Sequence, residues 1–242
     1  MIFSKEMLTN TEIKRIKSLK DKKFRDEYGQ FTVEGEKLVE EALCSGFKVS
    51  AVYRVEEIGE ETMARISQLS SPSPVLAVVN KPEPRGMALE RGLYLGMDSI
   101  RDPGNMGTIL RLADWFGIST VFASQDCVEV FNPKVVQASM GSVFRVNVVL
   151  CDLENICRRF RAMDLPVYGT FLDGDIIYDV NLADEGLIVM GNEANGVSRE
   201  VADLASSRLF IPSFAGDRRT AESINVAAAT AIVLSEFRRR TL

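Results

Sequence analysis

The sequence predicts an α/β protein built in two parts, and three observations carry that expectation. After residue 92, short apolar runs alternate with amphipathic segments of about ten residues, the pattern of a parallel sheet with helices on both faces. Before it, residues 80–86 read NKPEPRG, and Pro82 and Pro84 exclude both helix and central strand there. Across all 242 residues, 46% are hydrophobic and 26% charged, the balance of a folded globular protein. No apolar stretch reaches the roughly 20 residues that span a bilayer. The first residues lack a signal pattern, so a cytoplasmic location and no membrane partner are expected.

The elements follow in order. Ile13, Ile16 and Leu19 recur among basic residues and predict a helix over 11–24. GEKLVEEALCS predicts a second helix over 35–45, stopped by Gly46. A strand at 48–53, a polar helix at 59–69 and a strand at 75–79 complete the first part. The expected domains are 1–82 and 93–242, with 83–92 as the linker. In the second part strands are predicted at 93–97, 118–123, 145–150, 166–171, 187–190 and 208–211. Helices are predicted at 105–116, 133–140, 152–163, 198–205 and 222–239. Asn105 reads as the cap of the first of these and Gly117 as its stop. Ligands of such sheets bind beyond the carboxyl ends of the strands, which points to the loops after 97, 171, 190 and 211.

Composition narrows the chemistry. The chain has no histidine, so a Ser-His-Asp triad, an HExxH zinc site and a carboxylate–histidine relay are excluded. Cys44, Cys127, Cys151 and Cys157 form no CxxC pair, and reduced, mostly buried thiols with no metal are expected. GxGxxG and GxxxxGK[ST] are both absent, which argues against a dinucleotide-dependent dehydrogenase and a P-loop NTPase. The net charge is -5, yet Lys14, Arg15, Lys17, Lys20, Lys22, Lys23 and Arg25 crowd one stretch, and Arg238, Arg239 and Arg240 stand near the end. Local patches of this kind can steer a polyanion; they can equally be solvated helix faces.

Three segments concentrate the candidate chemistry. Residues 98–111, DSIRDPGNMGTILR, leave a strand, turn and enter a helix whose apolar face holds Ile109, Leu112, Ala113 and Phe116, with Arg111 off that face. Residues 191–198, GNEANGVS, follow a buried strand, with Glu193 at its carboxyl end and Ser198 placed to cap the next helix. Residues 211–232 run from Ile-Pro through a glycine loop into the small-residue helix SINVAAATAI. Each alone also reads as an ordinary turn or as close helix packing.

Together the three resemble the SpoU (TrmH-like) family of RNA ribose 2′-O-methyltransferases, in the knotted SPOUT superfamily, over about residues 93–240. Asn105, Gly107, Ile109 and Arg111 match its N-x-G-x-I-x-R motif. Gly191, Glu193 and Gly196 match G-x-E-x-x-G. Ile211, Pro212, Gly216, Ser223, Ile224, Asn225 and Val226 match the third motif. IKSL at 16–19, FTVEGEK at 31–37 and VLAVV at 75–79 resemble the family's RNA-binding appendage, similar to ribosomal protein L30e. Two departures stand out: the loop at 217–222 is longer than usual, and Ser213 stands where methionine is common. Both bear on the shape of the cofactor pocket.

The resemblance implies a smaller N-terminal L30e-like α/β domain and a C-terminal parallel-sheet domain threaded into a trefoil knot. It implies S-adenosylmethionine held by the backbone at Gly191, Ile211 and Ile224, with Thr170 beside it and Ser223 touching cofactor or substrate. It assigns catalysis to Arg111, assisted by Asn105, Glu193 and Asn225, in a homodimer that needs no metal. Lys14, Arg15, Lys17, Lys22 and Lys23 are the expected RNA contacts. The appendage favours ribosomal RNA over transfer RNA. A transfer-RNA methyltransferase and a non-catalytic RNA-binding or ribosome-assembly factor of the same fold are the alternatives.

Overall fold

The computed structural model describes residues 8–83, 89–215 and 221–240. The chain divides into two units, Met1–Met87 with Glu129–Arg145, and Ala88–Val128 with Val146–Leu242. The first seven residues, 84–88 of the expected linker and 216–220 of the lengthened loop lie outside the described residues.

In the first unit the elements run α1 (Asn10–Ser18), α2 (Lys22–Tyr28), β1 (Gln30–Glu34), α3 (Glu36–Cys44), β2 (Val49–Arg54), α4 (Val55–Ile58), α5 (Glu60–Ile66) and β3 (Val75–Asn80). The antiparallel sheet has the order β1-β3-β2, so β3 is central and its apolar run is buried on both faces. One face packs Leu76 and Val78 against Ile13, Ile16, Leu19, Met63 and Ile66. The other packs Phe31, Val33, Val75 and Ala77 against Leu38 and Val39 and against Val136 and Val143 of the inserted segment. Within that segment α7 (Pro133–Ser139) starts at Asn132, whose side chain accepts the Lys134 N–H.

Two differences from the sequence reading have clear causes. Strand β1 was not expected, because its apolar run is broken by Thr32 and Glu34, which are nevertheless buried. Glu34 accepts the Ser67 hydroxyl and the Gln68 N–H, and burial pushes its carboxyl up. The single helix expected over 11–24 is two. A Thr9–Glu12 capping box starts α1. The break after it is filled by Arg25, 2% exposed, which donates to the carbonyls of Leu19 at 2.8 Å and Lys20 at 2.6 Å. Its Nε donates to Glu129 Oε2 at 2.8 Å, and Lys81 Nζ reaches the other carboxylate oxygen at 2.6 Å. Arg25 therefore serves the fold as a buried cation.

The second unit is a seven-stranded parallel sheet of β4 (Leu93–Met97), β5 (Thr120–Ala123), β6 (Asn147–Leu150), β7 (Val167–Phe171), β8 (Asp175–Ile176), β9 (Gly186–Met190) and β10 (Ser207–Phe210). The order is β6-β5-β4-β9-β7-β10-β8. All five residues of β9 are buried, as expected for a strand flanked by parallel neighbours. The helices are α6 (Pro103–Trp115), α8 (Leu153–Ala162), α9 (Arg199–Ala202) and α10 (Val226–Arg239).

Helix α6 is capped by Asp102, with Pro103 at its first position, rather than by Asn105. The arginines near the chain end are largely occupied. Arg238 donates to the carbonyls of Phe116 at 2.7 Å and Gly117 at 3.2 Å, closing the end of α6. Arg240 donates to the carbonyls of Ile177, Tyr178 and Val180. Buried Glu236 accepts from both Arg239 and Arg240, and these contacts, the Arg239 bond foremost, hold its carboxyl down at about 2. This cluster is a fastening for α10 more than a free basic patch.

Candidate active site

Strands β4, β9, β7 and β10 are consecutive neighbours in the sheet, so the loops after them emerge along one edge. Those loops carry the residues singled out by the sequence. At the start of α10, Asn225 Oδ1 accepts the N–H groups of Ala227 at 2.9 Å and Ala228 at 3.2 Å. Its amide is thereby oriented, and Nδ2 donates to Asn105 Oδ1 at 2.8 Å. Asn105 Nδ2 in turn donates to Glu193 Oε1. Both ends of this relay fix its direction, since helix N–H groups only donate and a carboxylate only accepts. Asn105 sits on the third helical position of α6, where its own N–H donates to Asp102 Oδ1 at 2.8 Å. With the cap supplied by Asp102, the Asn105 side chain is released to bridge Asn225 and Glu193.

The turn that presents Glu193 is closed on itself. The N–H of Asn192 donates to the Gly196 carbonyl and the N–H of Gly196 returns the bond, each at 2.9 Å. Gly191 lies so close to this turn that a Cβ there would stand 2.3 Å from Gly196 C and Val197 N. Gly196 has φ +68°, the left-handed region that favours glycine. Asp98, 4% exposed at the end of β4, accepts the Ser198 N–H at 2.7 Å. Ser198 occupies the cap position of α9 without a side-chain capping bond. Beside it Ser99, with φ +58°, is pinned through its N–H to Ser124 Oγ at 2.8 Å and through its hydroxyl to Asp126. Bonds from Ser99 and Ser124, with Arg101, hold the Asp126 carboxyl far below the usual carboxylate range.

Sequence reasoning named Asn105, Glu193 and Asn225, and the structure brings all three into one network. It missed Asp98, Asp102, Ser99, Asn192 and Asp126. Of these only Asp102 left a local signal, the Asp-Pro pair of a helix start. Arg111 is exposed and makes no hydrogen bond or ion pair with a described residue. Six residues on from Asn105, it points to a different side of α6, a side shared with Thr108 and Trp115. Thr170 Oγ1 donates to the Val189 carbonyl at 3.0 Å, tying the end of β7 to β9. Ile211 follows β10, and Ser223 and Ile224 precede α10, exposed. In the first unit Lys14, Lys17, Lys22 and Lys23 are exposed, while Arg15 is half-buried and donates to Gln30 Oε1 at 2.8 Å.

Burial disfavours the reactive thiolate at the three cysteines of the second unit. Burial pushes Cys127 up, Cys151 to about 11 and Cys157 to about 12, while Cys44 is exposed in the first unit. Among the described residues no group of three Cys, Asp or Glu side chains could hold a metal ion.

Residues 92–235 match the SpoU rRNA Methylase family, and residues 10–79 match the MRM3-like substrate binding domain. A 23S rRNA (guanosine(2553)-2′-O)-methyltransferase of Bacillus subtilis is 30% identical, over 96% of this chain and 98% of its own. A TrmH-family structure from Porphyromonas gingivalis superposes with a TM-score of 0.87 at 38% identity, covering 97% of this chain and all of that one. An AdoMet-bound rRNA methyltransferase from Sinorhizobium meliloti gives 0.86 at 31%, covering 97% of each chain. A parallel sheet carrying these three loops, matched over its whole length in sequence, makes this chain a member of the SpoU rRNA methylase family.

Proposed function

We propose that the protein transfers a methyl group from S-adenosylmethionine to a ribose 2′-hydroxyl of ribosomal RNA. The observation that carries this reading is the directed relay Asn225–Asn105–Glu193 at the carboxyl edge of the sheet, in a chain of the SpoU family. The ribosomal substrate is supported by the full-length Bacillus relative, whose name specifies a 2′-O-methylation of 23S rRNA. A cytoplasmic setting belongs to the same reading, and no helix among the described residues is long and apolar enough to cross a membrane.

The residues suit the cofactor. The ends of β7, β9 and β10 and the approach to α10 offer backbone groups and uncharged side chains at Thr170, Gly191, Ile211, Ser223 and Ile224, and Ile224 is 51% exposed. Backbone groups and an open aliphatic surface suit a neutral adenosine, with no phosphate to hold. When bound, S-adenosylmethionine supplies an electrophilic methyl on a sulfonium centre. With the cofactor held there, the chain's own residues would have to aim the 2′-hydroxyl at that methyl and take up its proton as the carbon–sulfur bond gave way to a carbon–oxygen bond. A hydroxyl needs help to do this. Arg111 is permanently cationic and therefore acts by electrostatics, not as a base. Its guanidinium has no hydrogen-bond or ion-pair partner among the described residues and stands on another side of α6 from the relay, so in this reading it completes the site across the homodimer interface, lowering the pKa of the 2′-hydroxyl and clamping an adjacent phosphate. In this reading Asn105 and Asn225 orient the ribose, and Glu193 receives the proton.

The exposed lysines of α1 and α2, Lys14, Lys17, Lys22 and Lys23, with Arg15 beside them, are the proposed RNA contacts. A homodimer is part of the reading. It is supported by Trp115, 84% exposed on the same side of α6 as Arg111. The family's trefoil threading belongs to the reading as well.

The test is a methyl-transfer assay on ribosomal RNA with labelled cofactor, alongside calorimetry. Wild-type protein should incorporate label at a 2′-oxygen. Arg111→Ala should reduce turnover at least about 100-fold, the size expected for losing a transition-state electrostatic group, with cofactor affinity near wild type. Failure of the wild type to label any ribosomal RNA overturns the function. Full turnover by Arg111→Ala overturns the role of that residue.

A further inference from the structure

The loop that presents Glu193 is set by a side chain at a position that the G-x-E-x-x-G motif leaves open. Asn192 Oδ1 accepts the N–H groups of Ala194 at 2.9 Å and Asn195 at 3.2 Å, drawing the turn around itself. Its Nδ2 donates to the Ser99 carbonyl at 2.8 Å, a bond from the loop after β9 to the loop after β4. The same nitrogen stands 3.5 Å from Glu193 Oε2, the carboxylate oxygen that the relay leaves uncommitted. The Ser99 end of this link is itself rigid, fixed by Ser124 and Asp126. One amide thus shapes the turn, locks it to the neighbouring loop and faces the carboxylate.

We propose that Asn192 is a positioning residue for methyl transfer: it aims Glu193 by tying the 191–198 turn to Ser99 and by presenting an N–H to the second carboxylate oxygen. The inference rests on the proposed function for its kinetic consequence, but its structural part stands apart from it. Among the described residues, the charged groups on the surrounding elements are Asp98 at the end of β4, Arg101 in the loop after it, Asp102 and Arg111 on the α6 side, and Asp126 after β5. Asp98, Asp102 and Asp126 are each committed to hydrogen bonds of their own.

The informative variant is Asn192→Asp. It keeps acceptors for the two turn N–H groups, removes the donor and sets a like charge against Glu193. Asn192→Ala removes the donor without adding charge. With both variants, kcat should fall about ten-fold, the rate equivalent of one well-placed hydrogen bond, while KM for RNA stays within about two-fold. In Asn192→Asp the acidic limb of the pH–rate profile should move to higher pH. Its Glu193 carboxyl, followed by carbon-13 NMR, should take up its proton at higher pH than in wild type, as for neighbouring carboxylates. In wild-type protein the Asn192 side-chain amide protons should exchange slowly with solvent. An unmoved Glu193 titration in Asn192→Asp, or a freely exchanging Asn192 amide in wild type, overturns the proposal whether or not the protein methylates RNA. Wild-type kcat in both variants overturns it as well. A wild-type protein inert on RNA, with the titration shifted as expected, counts against the enzyme reading alone.

Discussion

A single missing methyl group decides the shape of the site. Glycine at 191 is required by distance, since an added Cβ would meet two backbone atoms at 2.3 Å, and backbone cannot rotate away as a side chain can. Gly191→Ala should push the Glu193 turn off the sheet edge, cost about 2 kcal/mol in chemical denaturation and abolish cofactor binding by calorimetry. Wild-type stability together with wild-type affinity would contradict this. At the same scale, Glu193, Asn105 and Asn225 were legible because their spacing matches known motifs. Their connection was not. Which way an amide points depends on what holds its far end, and here those anchors are the Glu193 carboxylate on one side and the N–H groups of α10 on the other. Asn192 left no trace in the sequence because its partner Ser99 lies 93 residues away.

At the level of elements, the sheet was readable wherever a strand is apolar throughout. Leu93–Met97 and Gly186–Met190 stand out because both faces are covered. Helix periodicity located α8 for a related reason: Leu153, Ile156, Cys157 and Phe160 make one buried stripe. The division between α1 and α2 was not readable, because the carboxylate that fixes it, Glu129, is 104 residues from Arg25. A buried guanidinium with one carboxylate and two carbonyls to satisfy cannot be replaced by a point charge. Arg25→Met should destabilise the protein by roughly 3–5 kcal/mol, the range for stripping one partner from a buried pair, and Arg25→Lys should recover only part of it. A denaturant midpoint near wild type for Arg25→Met would refute this account of the break.

For the whole molecule, the α/β class and the parallel sheet were legible from the alternation of apolar runs and helices. The membership of residues 129–145 was not. Their own pattern is an ordinary helix and turn, and only packing shows that Val136 and Val143 join Phe31 and Val33 in one core. The homodimer proposal also belongs to this scale. Trp115 at 84% exposure is a large apolar side chain left in water by a single chain. Sedimentation equilibrium should give twice the chain mass, and Trp115→Glu should shift the population to single chains. Wild-type protein that sediments as one chain would end the dimer proposal.

The chain passes from one unit to the other between 87 and 88, again between 128 and 129, and back between 145 and 146. A gene fragment ending near position 83 would therefore encode a first unit stripped of Phe131, Val136, Val143 and Phe144, four of its own apolar side chains. Recombination that swapped only the leading segment for a foreign one would inherit an inserted helix with no matching surface. The first unit should therefore tolerate point changes on its exposed helices more readily than exchange of its leading segment alone.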